Sequence, residues 1–573
     1  MAAGVETLLL EVLPVFIIAA AVGIFVTKVW EFPYTIALLL AGLAVSILGV
    51  VTDLVTIDIR LSHDIIFLVL LPPLLFEGAA TTDLAQFRRH FNPILALSTA
   101  GLLVSIGLLG ALGQYVFGYS LLVSLLFAAM VLPTDPVSVL ALFDELGVPD
   151  RLAVVVEGES LLNDGVGVVV FTALLALVAE GATAVDLLSI TGLGTLILEM
   201  VFVSLGGALV GYVTGYAVYS VMRNLDEHMT EVVLTLILVY GSFLLAEHYL
   251  HVSGVIATVV AGLFMGNRGA EEAMSPQTKI SIFTSLATMA FLVNTFIFVM
   301  IGVTTPIDQL VAHADLILMA IPLVVLVRAL AVYSVTAFTN RLSLSSISTQ
   351  YQHVIVWGGL HGSIPIALVL GLRPDLYPAL PVAELRAMVF GVAAFSLIIQ
   401  GLTMPTLLDG LGVVTRSEAE EVYELLRGRA RAVDAALAAV EKLHSDGEVP
   451  TAMYEAFTRE YGREQEQLRT VIPELLAAYP EVGLEEVMMG ERRVLQEEKS
   501  AVLDAIRTGV VSDDVGERLL EEINFKLDRV AAGESTVMDG WEGYDEVWRE
   551  RVRELGLSVD EPDGDADKAA REE

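Results

Sequence analysis

A 573-residue chain with 55% hydrophobic side chains and a mean hydropathy of +0.71 is far too apolar for an ordinary soluble domain. Its net charge of −37 has the wrong sign for a nucleic-acid binder. The complete absence of cysteine excludes thiol catalysis, disulfides and cysteine-ligated metal sites, and no HExxH-type spacing occurs among the histidines.

The apolar runs predict an all-α membrane protein of 13 transmembrane helices, near 5–27, 32–50, 63–80, 91–118, 120–144, 150–180, 187–221, 230–250, 253–267, 279–304, 312–338, 350–372 and 384–409. The third and ninth are the shortest. The first carries Glu6 and Glu11 rather than a basic leader and is long enough to span, so it reads as a membrane helix and not a signal peptide.

The fifth stretch is interrupted by Leu132-Pro133-Thr134-Asp135-Pro136. Two prolines around Thr-Asp remove two backbone donors and push their predecessors out of helical geometry. Irregular backbone at membrane depth survives only where protein or a water-filled cavity satisfies it. The sixth stretch is apolar except for a polar group that includes Glu157, Glu159, Ser160, Asn163 and Asp164. A carboxylate near the bilayer centre costs roughly 3 kcal/mol unless it faces a cavity, a partner or an ion. On a helix Glu159 and Asn163 are four apart, as are Ser160 and Asp164, which makes two adjacent polar stripes. Such an oxygen-rich face suits a hard monovalent cation or a proton; the plainer alternative is polar glue between helices.

The eleventh stretch contains Arg328, whose guanidinium stays charged and needs an anion or carbonyls; Glu159 is the expected partner. The twelfth is broken by Gly358-Gly359-Leu360-His361-Gly362-Ser363-Ile364-Pro365. The two broken spans are seven apart, so they run in opposite directions. Broken helices in two inverted halves mark a secondary transporter's binding site.

With the N-terminus outside, the inner loops hold Lys28, Arg88, Arg89, Arg151, Arg223, Arg268, Lys279 and Arg341, against Arg60, Arg373 and Arg386 outside. That bias predicts a cytoplasmic C-terminus and a multi-pass protein of the cell membrane. Residues 1–414 hold 29 acidic and 12 basic residues, which leaves 40 acidic and 20 basic for residues 415–573. The expected organisation is a membrane domain over 1–414 and an acidic cytosolic helical domain over 415–573, ending in the disordered tail DEPDGDADKAAREE. Self-repulsion of so acidic a segment fades at molar salt, where the screening length is about 3 Å. The composition therefore points to a salt-adapted host, a halophilic archaeon.

EGESLLNDGVGVVVF, the preceding LPTDPV, Arg328 and WGGLHGSIPIALVL together resemble the NhaP-type monovalent cation:proton antiporters over roughly residues 10–410. The resemblance implies a 13-helix antiporter fold with inverted repeats and two crossed, unwound helices. It implies a homodimer in the lipid bilayer that exchanges cytoplasmic Na⁺, and often Li⁺, for external H⁺, with no cofactor and no enzymatic activity. Members with Asn-Asp at this position are usually electroneutral, and here the pair is Asn163-Asp164. By similarity Asp164 carries the ion or proton, Asp135, Ser160 and the Thr134 backbone are further ligands, Asn163 orients Asp164, and Glu159 pairs with Arg328. His361 stands where relatives commonly have arginine. It reads either as a titratable, pH-sensing cation or as a neutral histidine hydrogen-bonded to freed carbonyls.

Cation and proton then compete for one carboxylate, and alternating access couples the two fluxes. A K⁺ or Ca²⁺ antiporter remains an alternative, since all these cations take oxygen ligands. A cation channel would pass current without protons. An intramembrane aspartyl protease could pair Asp135 with Asp164 but leaves Arg328, Asn163 and the second break without a role.

Overall fold

The computed structural model describes residues 2–28, 33–52, 64–135, 137–181, 189–223, 225, 227–342, 347–413, 418–446, 448–507, 510–531 and 535. Arg60, Pro136 and the acidic 560–573 tail expected to be disordered lie outside the described residues. The chain divides into two compact units, Met1–Thr415 and Arg416–Glu573. No strand occurs among the described residues.

The first unit is a multi-pass membrane bundle. Among the described residues, seven helices are long and apolar enough to cross a bilayer: Phe91–Val116, Arg151–Ala179, Ile197–Met222, Met229–Tyr249, Gln277–Thr304, Ala314–Leu342 and Val382–Leu411. Shorter apolar helices cover Leu13–Val26, Tyr34–Leu48, Ile65–Thr81 and Leu121–Val131. The ninth predicted stretch is an 11-residue helix, Gly254–Phe264, that runs into a π-helical turn, Met265–Gly269. Serine caps several helices at their entry: Ser120, Ser253 and Ser348 each accept the backbone N–H three residues on, where helical donors lack partners.

Both interrupted stretches are broken, for the reasons written in their sequences. The fifth stretch consists of Leu121–Val131 and Val137–Leu146, parted at the proline-flanked Thr-Asp. The twelfth consists of Thr349–Trp357 and Ser363–Gly371, parted at Gly358–Gly362. The breaks meet: the Asp135 backbone N–H donates to the Leu360 carbonyl at 2.8 Å. Each break thus supplies backbone partners that the other lost. Beside them the last long helix of the unit contains a π-helical turn, Ser396–Gln400. It turns polar groups toward the second break, where Ser396 Oγ accepts the His361 N–H at 3.0 Å and Gln400 Nε2 donates to the Trp357 carbonyl at 3.2 Å.

Among the described residues, the second unit contains four amphipathic helices, Glu418–Ser445, Thr451–Ala478, Pro480–Arg507 and Asp513–Ala531. Leu495, Ile523 and Val530 form a small buried cluster between the last two. An exposed two-bond pair, Arg429 to Glu464 at 2.5 and 2.9 Å, links the first two.

Candidate cation site

The helix Asp150–Ala179 carries the polar stripes through the middle of the membrane unit. Its first stripe is satisfied by protein. Arg328, from the helix Ala314–Leu342, donates through both terminal nitrogens to the Glu159 carboxylate at 3.2 and 3.1 Å. The same guanidinium donates to the Ile355 carbonyl at 3.0 and 3.3 Å, in the half-helix before the second break. Both members are buried, as such a pair must be to hold a fixed geometry in a low-dielectric setting. Gly359 lies against the guanidinium so closely that a Cβ there would collide with it.

Asn163 connects this pair to the first break. Its Nδ2 donates to Glu159 Oε1 at 3.3 Å and to Thr134 Oγ1 at 2.8 Å, while its Oδ1 accepts the Thr134 backbone N–H at 3.3 Å. The Thr134 and Ser160 hydroxyls are 3.0 Å apart. An amide does here what no carboxylate could, donating and accepting at once.

Of the second stripe, Asp164 faces space while Ser160 is bonded to Thr134. A cavity of about 360 Å³ is lined by Asp164, Asp135 and Thr134, with Ser363 from the start of the second half-helix. Asp164 is buried, makes no hydrogen bond among the described residues, and feels the charges of Asp135 and Glu159. Asp135 lies against Gly362, at the N-cap of the helix Ser363–Gly371, where the helix dipole favours an anion. Glu159, Ser160, Asn163 and Arg328 stand behind this wall and hold it. His361 is also set back from the cavity: Nδ1 lies 3.2 Å from the Pro133 carbonyl, an acceptor, and so donates to it.

Three cavity residues escaped the sequence reading. Glu77 comes from the helix Leu71–Thr81, and Asn294 from the helix Pro276–Thr304. Glu77 carried the same kind of signal as Glu159, a carboxylate inside an otherwise apolar run, here LPPLLFEGAA. Ser363 was visible only as part of the break. Glu157, recognised as intramembrane but given no role, also lines the cavity.

The family model described as "Sodium/hydrogen exchanger, transmembrane" matches residues 16–410, more than half of the chain and all of the site. The chain belongs to this family. Sodium/hydrogen exchangers are transporters and not enzymes. Among similar proteins, the Na⁺/H⁺ antiporter NhaG of Bacillus atrophaeus is 33% identical over 518 residues, covering 89% of this chain and 96% of its own length. The Na⁺/H⁺ antiporter ApNhaP of Aphanothece halophytica is 36% identical over 413 residues, 71% of this chain and 75% of that protein. The solved structure of the sodium proton antiporter MjNhaP1 of Methanocaldococcus jannaschii at pH 8 superposes with a TM-score of 0.58 at 19% identity, covering 71% of this exchanger and 99% of that chain. That likeness shows a shared fold.

Proposed function

We propose that this exchanger is a secondary active antiporter that moves Na⁺ and Li⁺ out of the cytoplasm in exchange for external H⁺, one for one. The observation that carries the reading is Asp164, a buried carboxylate with no donor among the described residues, facing a cavity beside Asp135 at the crossing of two broken helices. A carboxylate that has taken a proton has lost the charge that holds a cation, so Asp164 binds one or the other. Asp135 and Thr134 complete the oxygen set. Ser160 and Asn163 hold Thr134 in place, and the Glu159–Arg328 pair is structural. Asn163, being neutral, adds no second exchangeable charge beside Asp164, which supports electroneutral exchange.

In this reading the unit spans the cell membrane 13 times with inverted repeats and assembles as a homodimer. The N-terminus is outside, and residues 415–573 form an acidic cytosolic domain. The segments carrying the two breaks move against the other helices to alternate access. The test is a pH-gradient dye assay in proteoliposomes with Na⁺, Li⁺, K⁺ and Ca²⁺ added in turn. Na⁺ and Li⁺ should collapse the gradient, and Asp164→Asn should abolish the response. Valinomycin with K⁺ should leave the initial Na⁺ rate unchanged. Acceleration would show net charge movement and overturn electroneutrality, and a response to K⁺ or Ca²⁺ alone would reassign the substrate.

A further inference from the structure

We propose that Glu157 is a second proton-carrying group: a relay carboxyl at the cavity rim, held in either protonation state by the Thr82 hydroxyl, that passes protons between the cytoplasm and Asp164. The inference rests on the assignment of Asp164 made above.

The geometry of Thr82 carries it. Its hydroxyl lies 2.8 Å from the Gly78 carbonyl and 2.8 Å from Glu157 Oε1, yet it has one proton to give. The Gly78 carbonyl also accepts the Thr82 backbone N–H at 3.2 Å. When Glu157 is ionised, the hydroxyl donates to it and the N–H alone serves Gly78. When Glu157 is protonated, its own O–H donates to Thr82 Oγ1, and the hydroxyl turns to Gly78. In both states the Thr82 hydroxyl, the Gly78 carbonyl and Glu157 Oε1 keep hydrogen bonds, and the switch between them is one hydroxyl rotation.

The clamp is rigid. Asn267, in the π-helical turn after the helix Gly254–Phe264, donates to the Thr82 carbonyl at 3.0 Å and to Leu263 O at 2.9 Å, and accepts the Leu84 N–H at 2.9 Å. The hydroxyl is thereby fixed beside a carboxylate that belongs to a different helix.

Position completes the case. Glu157 and Asp164 are seven residues apart on one helix, hence on one face and about 10 Å apart along its axis. Both line the 360 Å³ cavity. That volume has room for about ten waters at ~30 Å³ each, enough to bridge the gap by a hydrogen-bonded file. The other ionisable groups facing this space are Glu77 from the helix Leu71–Thr81 and Asp135 from the break, with neutral Asn294 opposite; no lysine, arginine or histidine lines it among the described residues. Glu157 precedes Asp164 by two turns on the helix Asp150–Ala179, whose start at Arg151 belongs to the end marked as cytoplasmic by Arg88, Arg89 and Arg151. As Na⁺ binds Asp164 from the cytoplasmic side, the Asp164 proton leaves into the water file, and Glu157 takes an equal proton from that file and releases it to the cytoplasm. Charge and protons balance without a further reactant.

The test separates proton delivery from cation binding. Proteoliposomes are assayed for ²²Na⁺ uptake driven by a pH gradient, and for ²²Na⁺/Na⁺ self-exchange at equal pH, which needs no proton. Glu157→Gln should slow the proton-driven mode by about 100-fold, the low end of what a positioned proton-transfer group contributes. Self-exchange should persist. Thr82→Val should slow the proton-driven mode selectively, and Thr82→Ser should restore it. Parallel loss of both modes in Glu157→Gln, no loss in either, or a Thr82→Val protein as fast as the parent would overturn the relay. Asp164→Asn should lose both modes; self-exchange surviving there would instead refute the Asp164 assignment, independently of Glu157.

Discussion

The Glu159–Arg328 pair gives the most quantitative expectation. Its guanidinium and carboxylate are joined by two hydrogen bonds of 3.1 and 3.2 Å, with side-chain exposures of 10% for Arg328 and 5% for Glu159. Arg328→Ala leaves Glu159 with a single donor among the described residues, Asn163 Nδ2 at 3.3 Å, and also removes the guanidinium from the Ile355 carbonyl. Glu159→Ala leaves Arg328 with that carbonyl as its acceptor among the described residues. Stranding one partner of a buried pair costs about 3–5 kcal/mol, so strict additivity would predict roughly 6–10 kcal/mol for the double mutant. The double mutant strands no charge. Its loss reduces to a cavity and the hydrogen bonds to Ile355 and Asn163, about 1 kcal/mol each, and should stay within the range of either single mutant. The assay is thermal unfolding in detergent of the parent, both singles and the double, followed by size-exclusion fluorescence. A double-mutant shift equal to the sum of the singles would show that the two charges do not support one another.

Gly362→Ala places a methyl group in the Asp135 carboxylate, so transport should fall sharply while the melting temperature moves less than in Arg328→Ala; unchanged Na⁺ affinity would remove Asp135 from the ion set. His361→Gln keeps a donor for Pro133, so the acid flank of the pH–activity profile should keep its shape, and a shallower flank would restore the pH-sensing reading. His90, buried at the entry to the Phe91–Val116 helix, has its pKa lowered by burial and then by the charges of Arg151 and Arg89. The unfolded chain therefore takes up a proton as pH falls through about 6.5 that the folded chain still refuses, so stability present above that pH declines below it. Comparing melts at pH 7.5 and 5.5 should show a smaller loss in His90→Gln than in the parent, and equal losses would refute the assignment.

Class and chemistry were legible in the sequence because the bilayer penalises polar groups so heavily that each one kept there signals a use. Prolines around Thr134-Asp135 and glycines around His361 marked the two breaks, since backbone geometry at such residues is a local property. A four-residue spacing placed Asn163 beside Glu159 for the same reason. Only the tertiary structure decided which polar groups meet. The Asp135 N–H reaching Leu360, Arg328 sharing itself between Glu159 and Ile355, and His361 turning to Pro133 join residues up to 228 positions apart. Periodicity assigns a residue to a face of its own helix but says nothing of what another helix brings to that face. Glu77 and Glu159 are both carboxylates within apolar membrane runs, yet one lines the cavity and the other is buried against an arginine. That difference is made by packing, because the partner that neutralises a buried charge is chosen in space and not along the chain.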